Sequence, residues 1–279
     1  MSAAAHTPAR RRPDAAAWGM RAFVYAVLVF LLLPTLIIVP MSFSVKDYLE
    51  FPPTGFTLRW YAEYFADRRW RAATLLSLEI AVLTTFCTMI VGTMVTYVMV
   101  RGRVLFRGAF NLLLMGPIIV PHIAMAVGLY LFLKPIGLAG SVAGFVAAHT
   151  VLALPFFVFT VAASLSQIDP ALEQAAMSCG CSRPRAFVNV TLPLIVPSVL
   201  SGGLFAFIIS FDEPTIAFFL SGIRDRTLPR RMFENIEHGL TPELPAIATL
   251  LTLLSIAILA GVALLNLWAS RHKTAATRE

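Results

Sequence analysis

Two adjacent acidic residues, Asp212 and Glu213, lie inside a long apolar segment of the 279-residue sequence. A charge near the centre of a bilayer costs about 2.5–3.5 kcal/mol on insertion scales, so such residues usually face a cavity or a partner. A carboxylate at this position could attract a cationic solute, and the ring of the neighbouring Phe211 could contact an amine. Alternatively, the two acids bond neighbouring helices or lie above the hydrocarbon. Pro214 removes a backbone donor and predicts a kink or break, and only an unwound helix would let both acids face one cavity.

The polar segment 166–193 carries the signals of a short, capped helix. Asp169 is a favourable N-cap, Pro170 suits the first helical position, and Glu173 lies in the first turn, where the helix dipole favours an anion. Gly180 suits the left-handed position directly after a helix. The sequence therefore predicts a helix between these caps, in a loop that joins two apolar segments.

One face of this predicted helix carries small and apolar side chains at i, i+3, i+4, i+7 spacing, namely Leu172, Ala175, Ala176 and Cys179. Such side chains allow the close approach of another surface, as when a helix seats in a groove. Glu173 lies off that face. The alternative is an amphipathic connector lying on lipid, but such helices are usually rich in Lys, Trp or Phe, which this one lacks.

The composition indicates a protein that crosses a membrane several times. Hydrophobic residues make up 58% of the chain and charged residues 13%, whereas soluble domains average about 45–50% and about 25%. The net charge of +7 could suggest nucleic-acid binding, but the basic residues lie in short segments between apolar runs, where they anchor loops and set orientation. We therefore expect contact with membrane lipid and none with nucleic acid.

Six apolar runs reach the ~20 residues that a bilayer core requires. Backbone groups in lipid must bond within their own segment, so each run is predicted to be a helix. The sequence thus predicts an all-α polytopic membrane protein with six transmembrane helices, and polar tails that lie on one side. The predicted spans are 22–43, 72–100, 108–133, 142–165, 194–220 and 246–268, and the tails are 1–21 and 269–279.

Charge favours an orientation with both termini in the cytoplasm. Of the 22 Lys and Arg residues, 12 lie in the inner segments of that arrangement and 10 in the outer loops, so the overall bias is weak. The dense arginines at 10–12 and the tight loop with Arg101, Arg103 and Arg107 decide the assignment. The first outer loop, 45–71, also carries aromatic residues that could form an interfacial belt or a docking surface for an external partner. These aromatic residues include Trp60, Tyr61, Tyr64, Phe65 and Trp70.

The polar loop resembles the EAA cytoplasmic loop of permease subunits of binding-protein-dependent ABC importers. The resemblance rests on Glu173-Gln174-Ala175-Ala176, then Gly180, then Thr191-Leu192-Pro193, with Gln174 as a variation that the pattern tolerates. The family's first outer loop is similar to two segments, Phe51-Pro52-Pro53 and Leu58-Arg59-Trp60-Tyr61. The second permease of the family's spermidine/putrescine branch is similar to two others, Ser210-Phe211-Asp212-Glu213 and Thr227-Leu228-Pro229-Arg230-Arg231-Met232-Phe233.

This resemblance implies the type I importer permease fold, in which one peripheral N-terminal helix precedes a core of five helices. The permease domain would be 72–268, with the coupling loop at 166–193, after a first transmembrane helix and outer loop at 22–71. The resemblance further implies a place in the bacterial inner membrane and three kinds of partner: a dimer of ATP-binding subunits, a second and different permease, and a periplasmic solute-binding protein.

The resemblance also implies how the predicted helix works. It would seat in a cleft of the ATP-binding subunit and convert closure of that subunit's dimer into a rigid-body push. The residues implied in this coupling are Leu172, Glu173, Ala175, Ala176 and Gly180.

No cofactor or enzymatic activity is expected of this chain itself. It contains no Gly-x-x-x-x-Gly-Lys-Ser/Thr loop, so ATP would be bound by the separate partner chain. His-Glu-x-x-His and Gly-x-Ser-x-Gly are absent as well, so no protease or hydrolase site is indicated. Cys179 and Cys181 have no second Cys or His cluster with which to complete a metal site.

Two alternatives stay open for the function. Relatives in the polyamine branch carry other solutes, so the cargo could instead be an amino acid, an opine or an aminophosphonate. An ion-coupled secondary carrier would need no nucleotide partner, but carriers often contain internal inverted repeats, which this sequence does not show.

Overall fold

The computed structural model describes residues 15–102, 105–222, 226–239 and 241–276, which are mainly helical. Parts of the predicted tails and of the predicted inner loop lie outside the described residues, namely 1–14, 277–279 and Arg103. The first helix begins at Ala15 and the last helix ends at Ala276, so each predicted tail is partly helical. The helices are α1 (Ala15–Met41), α2 (Arg59–Ala66), α3 (Arg68–Arg101), α4 (Arg107–Ile119), α5 (His122–Leu133), α6 (Val142–Leu165), α7 (Ala171–Ser178), α8 (Arg183–Ala186), a π-helical turn (Phe187–Thr191), α9 (Leu192–Phe211), α10 (Thr215–Leu220), α11 (Leu228–His238) and α12 (Glu243–Ala276).

The chain divides into two compact units, Met1–Ala62 with Thr241–Leu250 and Glu63–Leu240 with Leu251–Glu279. In the first unit, α1 carries apolar side chains around its whole circumference, and none of its apolar segment Trp18–Met41 is buried. A helix of that kind is stable only in an apolar surrounding. Lipid is therefore the surrounding that its sequence requires.

The second unit is built on three helices, α3, α6 and α9, that pack on one another. Phe157 of α6 is fully buried between two glycines. A Cβ atom on Gly92 of α3 would lie 2.3 Å from the Phe157 ring, and one on Gly202 of α9 would lie 2.8 Å from it. Because only hydrogen fits at both positions, the two glycines let α3 and α9 close on the ring from either side.

Among the described residues, four helices are long and apolar enough to cross a bilayer: α1, α3, α6 and the helix Arg183–Phe211 that joins α8, the π-helical turn and α9. The predicted third span, 108–133, is not one helix, because α4 and α5 meet at 109°. At the bend Val120 is extended, with φ −72° and ψ 132°, since the residue before a proline disfavours helix and Pro121 has no N–H to donate. The predicted sixth span lies within α12, whose described apolar stretch is Glu243–Ile258.

The aromatic residues of the first outer loop are mostly packed inside the fold. Trp60, Tyr64 and Trp70 are buried, and the Trp60 indole N–H donates to the Ser44 carbonyl at 2.8 Å. The Tyr64 and Thr74 hydroxyl oxygens lie 2.6 Å apart. These three rings therefore stabilise the loop by packing within it, whereas Phe65 is 57% exposed.

Candidate functional site

The helix predicted in the polar loop is α7. It begins at Ala171, so Pro170, the predicted first helical position, precedes the helix by one residue. The Asp169 carboxylate accepts the backbone N–H two residues along, at 2.8 Å. After the helix, Gly180 has φ +90°, and its N–H donates to the Met177 carbonyl at 3.0 Å. The Cys181 N–H donates to the Ala176 carbonyl at 3.1 Å. These paired bonds form a Schellman motif, whose left-handed position favours glycine.

One side of α7 faces away from the rest of the chain. Leu172 is 48% exposed, Ala175 and Cys179 are exposed, and Ala176 is half-buried. The small-sided face predicted from spacing is therefore accessible on this chain. On this face α7 is a short exposed helix that presents no charged side chain.

Glu173 points in the opposite direction, into the chain, and is only 7% exposed. Its Oε2 accepts the Tyr97 hydroxyl of α3 at 2.9 Å, and its Oε1 accepts the Thr191 hydroxyl at the end of the π-helical turn. A buried carboxylate is costly unless it is hydrogen-bonded, and both of these donors are provided by other elements. Glu173 therefore ties α7 to α3 and to the start of α9.

The hydrogen bond between Glu173 and Thr191 lies at an irregular turn that precedes α9. The Leu192 N–H donates to the Phe187 carbonyl five residues back, so the helix Arg183–Phe211 contains one π-helical turn. Phe187 at this turn packs edge-on against Tyr97, with ring centroids 4.8 Å apart. Such turns are rare in helices and are frequently found at functional sites.

A second candidate site is a cavity of about 330 Å³ within the helical bundle of the second unit. Two interruptions of helix meet there, the bend between α4 and α5 and the end of α9. Pro117 and His122 come from the two sides of the bend, Phe156 from α6, and Asp212 and Glu213 from the end of α9. The helix ends at Phe211 and resumes at Thr215, so both acids reach one cavity.

The two acids have different surroundings. Glu213 is 8% exposed, and its Oε1 accepts the backbone N–H groups of Thr215 and Ile216 at 2.7 and 3.0 Å. It therefore caps the start of α10. Asp212 is exposed, and its carboxylate has no hydrogen-bond or ion-pair partner within the part of the chain that the structure describes. Of the two, Asp212 has the carboxylate that is available to a ligand.

Phe211 is not among the residues that line this cavity, because its ring stacks on Phe207 with centroids 5.6 Å apart and planes 9° from parallel. The phenylalanine in the lining is Phe156, which the sequence does not single out because α6 contains several apolar aromatic residues in a row. The end of α9 is held by a buried pair, in which His149 Nδ1 and Ser210 Oγ are 2.8 Å apart. Glu79 is exposed on α3 and lies outside the cavity lining.

Comparison with known proteins gives consistent results. The family model described as binding-protein-dependent transport system inner membrane component matches residues 14–273. The spermidine/putrescine transport system permease protein PotC of Haemophilus influenzae is 31% identical over 237 residues, which cover 85% of this chain and 92% of that protein. The putrescine transport system permease protein PotI of Escherichia coli K12 is 34% identical over 234 residues, covering 80% and 81%.

A solved structure supports the predicted fold. The crystal structure of a bacterial ABC transporter involved in the import of the acidic polysaccharide alginate contains a chain that matches with a TM-score of 0.68. The match covers 93% of this chain and 99% of that one at 14% sequence identity, so it shows likeness of fold alone. Together with the family match, it confirms the predicted all-α, type I importer permease fold.

Proposed function

The chain belongs to the family of inner membrane components of binding-protein-dependent transport systems, and we propose that it is the permease subunit through which an ATP-driven importer moves polyamines. As a permease it is a multi-pass inner membrane protein that transports and does not catalyse. Its partners are an ATP-binding subunit and a solute-binding protein. The alternative of an ion-coupled carrier without a nucleotide partner is disfavoured by this membership.

The observation that carries the coupling half of the proposal is the exposed small-sided face of α7. In this proposal Leu172, Ala175 and Ala176 seat in a cleft of the ATP-binding subunit, and α7 lies in the cytoplasm together with both termini. Gly180 follows the end of α7 in a left-handed conformation, so that the chain turns back toward the membrane directly after the helix. An Ala-rich surface suits this role because small side chains let two backbones approach closely.

Glu173 has a different part in the same step. Since its carboxylate is bonded within this chain, we assign it to transmission and not to contact with the ATP-binding subunit. Movement of α7 would be passed through Tyr97 to α3 and through Thr191 to α9, two of the three helices of the packed core. A rigid-body movement of the subunit follows from a tie of this kind.

The solute half of the proposal rests on the cavity beside Asp212. The relatives' names specify spermidine and putrescine, whose amines are protonated at neutral pH. The Asp212 carboxylate would accept a charge-assisted hydrogen bond from an ammonium group, and the Phe156 ring offers a cation–π contact in the same cavity. Phe211 would support this site from outside the lining, and Glu213 would shape it by capping α10.

We also propose that the pathway lies between this chain and a second, different permease. The segment Ser210-Phe211-Asp212-Glu213, which is similar to the second permease of the polyamine branch, supports a heterodimer. Asp212 would then supply one wall of a passage whose other wall belongs to the partner.

Replacing Asp212 by asparagine is expected to raise the KM for putrescine uptake about tenfold or more, since hydrogen bonds to charged groups contribute about 1.5–3 kcal/mol. The measurement is the uptake of radiolabelled putrescine and spermidine by cells that express the complete transporter at matched membrane levels. Glu213→Gln retains an acceptor oxygen for the α10 cap and is expected to change KM little.

Glu79→Gln is the matched control, because Glu79 is an exposed acid on α3 outside the cavity. Its KM should equal that of the wild type. Wild-type KM and rate in Asp212→Asn would place that carboxylate outside the solute path. Uptake that persists after removal of the ATP-binding partner would overturn the proposal as a whole in favour of the carrier.

A further inference from the structure

Two adjoining cavities open beside α7, where α3 ends and the helix Arg183–Phe211 begins. One, of about 260 Å³, is almost wholly apolar and is lined by Met94, Val98, Pro184 and Phe187 among others. The other, also of about 260 Å³, is polar and has Arg101 in its lining. The two cavities share Tyr97, Val98 and Arg183 as lining residues, so they form one site with an apolar half and a basic half.

The basic half holds arginine donors that are not used within this chain. The Arg183 guanidinium has no hydrogen bond or ion pair to any residue that the structure describes. Arg101 donates through one Nη to the carbonyls of Leu165 and Ile168, but its buried Nε has no partner among the described residues. Glu173 also lines this half, and its two oxygens already accept hydroxyl donors. Two cations face one bonded carboxylate, so the half is positively charged.

The two halves are stacked along the direction that crosses the membrane. Arg101 is the last residue of α3 and Arg183 the first of its helix, so both guanidiniums lie where spans end. Met94 lies seven residues before Arg101, which corresponds to about 10 Å further into the bilayer. The site therefore offers cations at the depth of lipid headgroups and an apolar groove at the depth of acyl chains.

We propose that this site binds an anionic phospholipid, with its phosphate on the guanidinium of Arg183 beside Arg101 and one acyl chain in the groove between α3 and Phe187. Basic pockets between transmembrane helices on the cytoplasmic side suit anionic headgroups. The proposal rests on the proposed function only for assigning this face to the inner leaflet. A free phosphate ion would leave the groove, where Met94 is 66% exposed, without an occupant.

The lipid would act on the coupling path because Tyr97, which bonds Glu173, lines both halves of the site. An occupied site packs Tyr97 and Phe187 from the membrane side. It thereby stiffens the tie between α7 and the two core helices. Anionic lipid in the inner leaflet is thus expected to raise coupled transport as well as to bind.

The test is native mass spectrometry of the purified complete transporter, released from detergent after incubation with equal amounts of phosphatidylglycerol and phosphatidylcholine. The wild type is expected to retain phosphatidylglycerol in preference, and Arg183→Gln to lower that retention about tenfold. Met94→Trp, which fills the groove and leaves both arginines in place, should lower it as well. The mass of the assembled complex reports whether each variant has folded.

Arg185→Gln is the matched control, because Arg185 is exposed on the same short α8 but does not line the site. Equal losses in Arg183→Gln and Arg185→Gln, or no lipid preference in the wild type, would overturn the proposal. Displacement of phosphatidylglycerol by excess inorganic phosphate would assign the site to a free anion and contradict it too. Retention is measured without solute or ATP, so its failure would leave the polyamine proposal standing, and failure of that proposal would leave retention unchanged.

Discussion

Replacing Leu172 by arginine is expected to lower ATP-driven putrescine uptake about a hundredfold while the protein remains at its normal level in the membrane. Leu172 is about half exposed on α7 and belongs to no buried cluster of the described residues, so the substitution removes little packing within this chain. In the assembled transporter the guanidinium would be buried without a partner in the cleft of the ATP-binding subunit. Removing a charge from water costs several kcal/mol, and each 1.4 kcal/mol is a factor of ten in affinity. Uptake of radiolabelled putrescine at matched expression measures the effect.

Ser178→Arg is the matched control on the same helix. Ser178 is exposed and lies about 120° around the helix axis from Leu172, away from the small-sided face. Uptake by this variant should stay near the wild-type rate. Equal uptake by both variants, whether high or low, would show that the face defined by Leu172, Ala175 and Ala176 does not seat the partner.

Replacing Glu173 by alanine is expected to uncouple the transporter and to lower uptake about tenfold to a hundredfold. The change leaves the Tyr97 and Thr191 hydroxyls without their shared acceptor, and each unpaired buried polar group costs about 1–3 kcal/mol. The ATP-binding subunit would still meet an intact outer face of α7. Basal ATP hydrolysis should therefore persist, while its stimulation by the loaded solute-binding protein is lost. ATP hydrolysis and uptake are measured together on reconstituted transporter.

A double-mutant cycle separates this tie from a direct contact with the partner. Tyr97→Phe and Thr191→Val each remove one donor and nearly preserve shape, and each should weaken stimulation, less than additively when combined with Glu173→Ala. Glu173→Gln keeps one acceptor and should be intermediate. If Tyr97→Phe and Thr191→Val both transport normally while Glu173→Ala does not, the Glu173 carboxylate acts on the ATP-binding subunit. Its hydrogen bonds to Tyr97 and Thr191 would then not transmit the movement of α7.

The caps of α7 could be predicted from the sequence because they depend on local chemistry. Asp169 and Gly180 act through bonds to backbone groups within a few residues, and the spacing of small side chains fixes the outer face. The burial of Glu173 could not be predicted in this way. Its partner Tyr97 is 76 residues away in the chain and Thr191 is 18 away, and no local pattern specifies either contact.

The cavity, too, could be predicted from the sequence only in part. Pro214 predicts the interruption of α9 that lets Asp212 and Glu213 reach one space, but not which acid caps α10 and which stays free. The prolines of the run 108–133 can bend a span, but hydropathy measures length without direction, so it does not predict a 109° break at Pro121. Phe156 enters the lining through the packing of α6, and such positions follow from tertiary structure alone.

The most direct test of the coupling role is photocrosslinking in living cells with a benzophenone amino acid at position 175. Ala175 is exposed on α7, and the same probe in place of Phe233, which is exposed on α11, serves as the reference. The proposed seating of α7 predicts that the probe at 175 captures the ATP-binding subunit and the probe at 233 does not. An active transporter in which the probe at 175 never captures that subunit would contradict it.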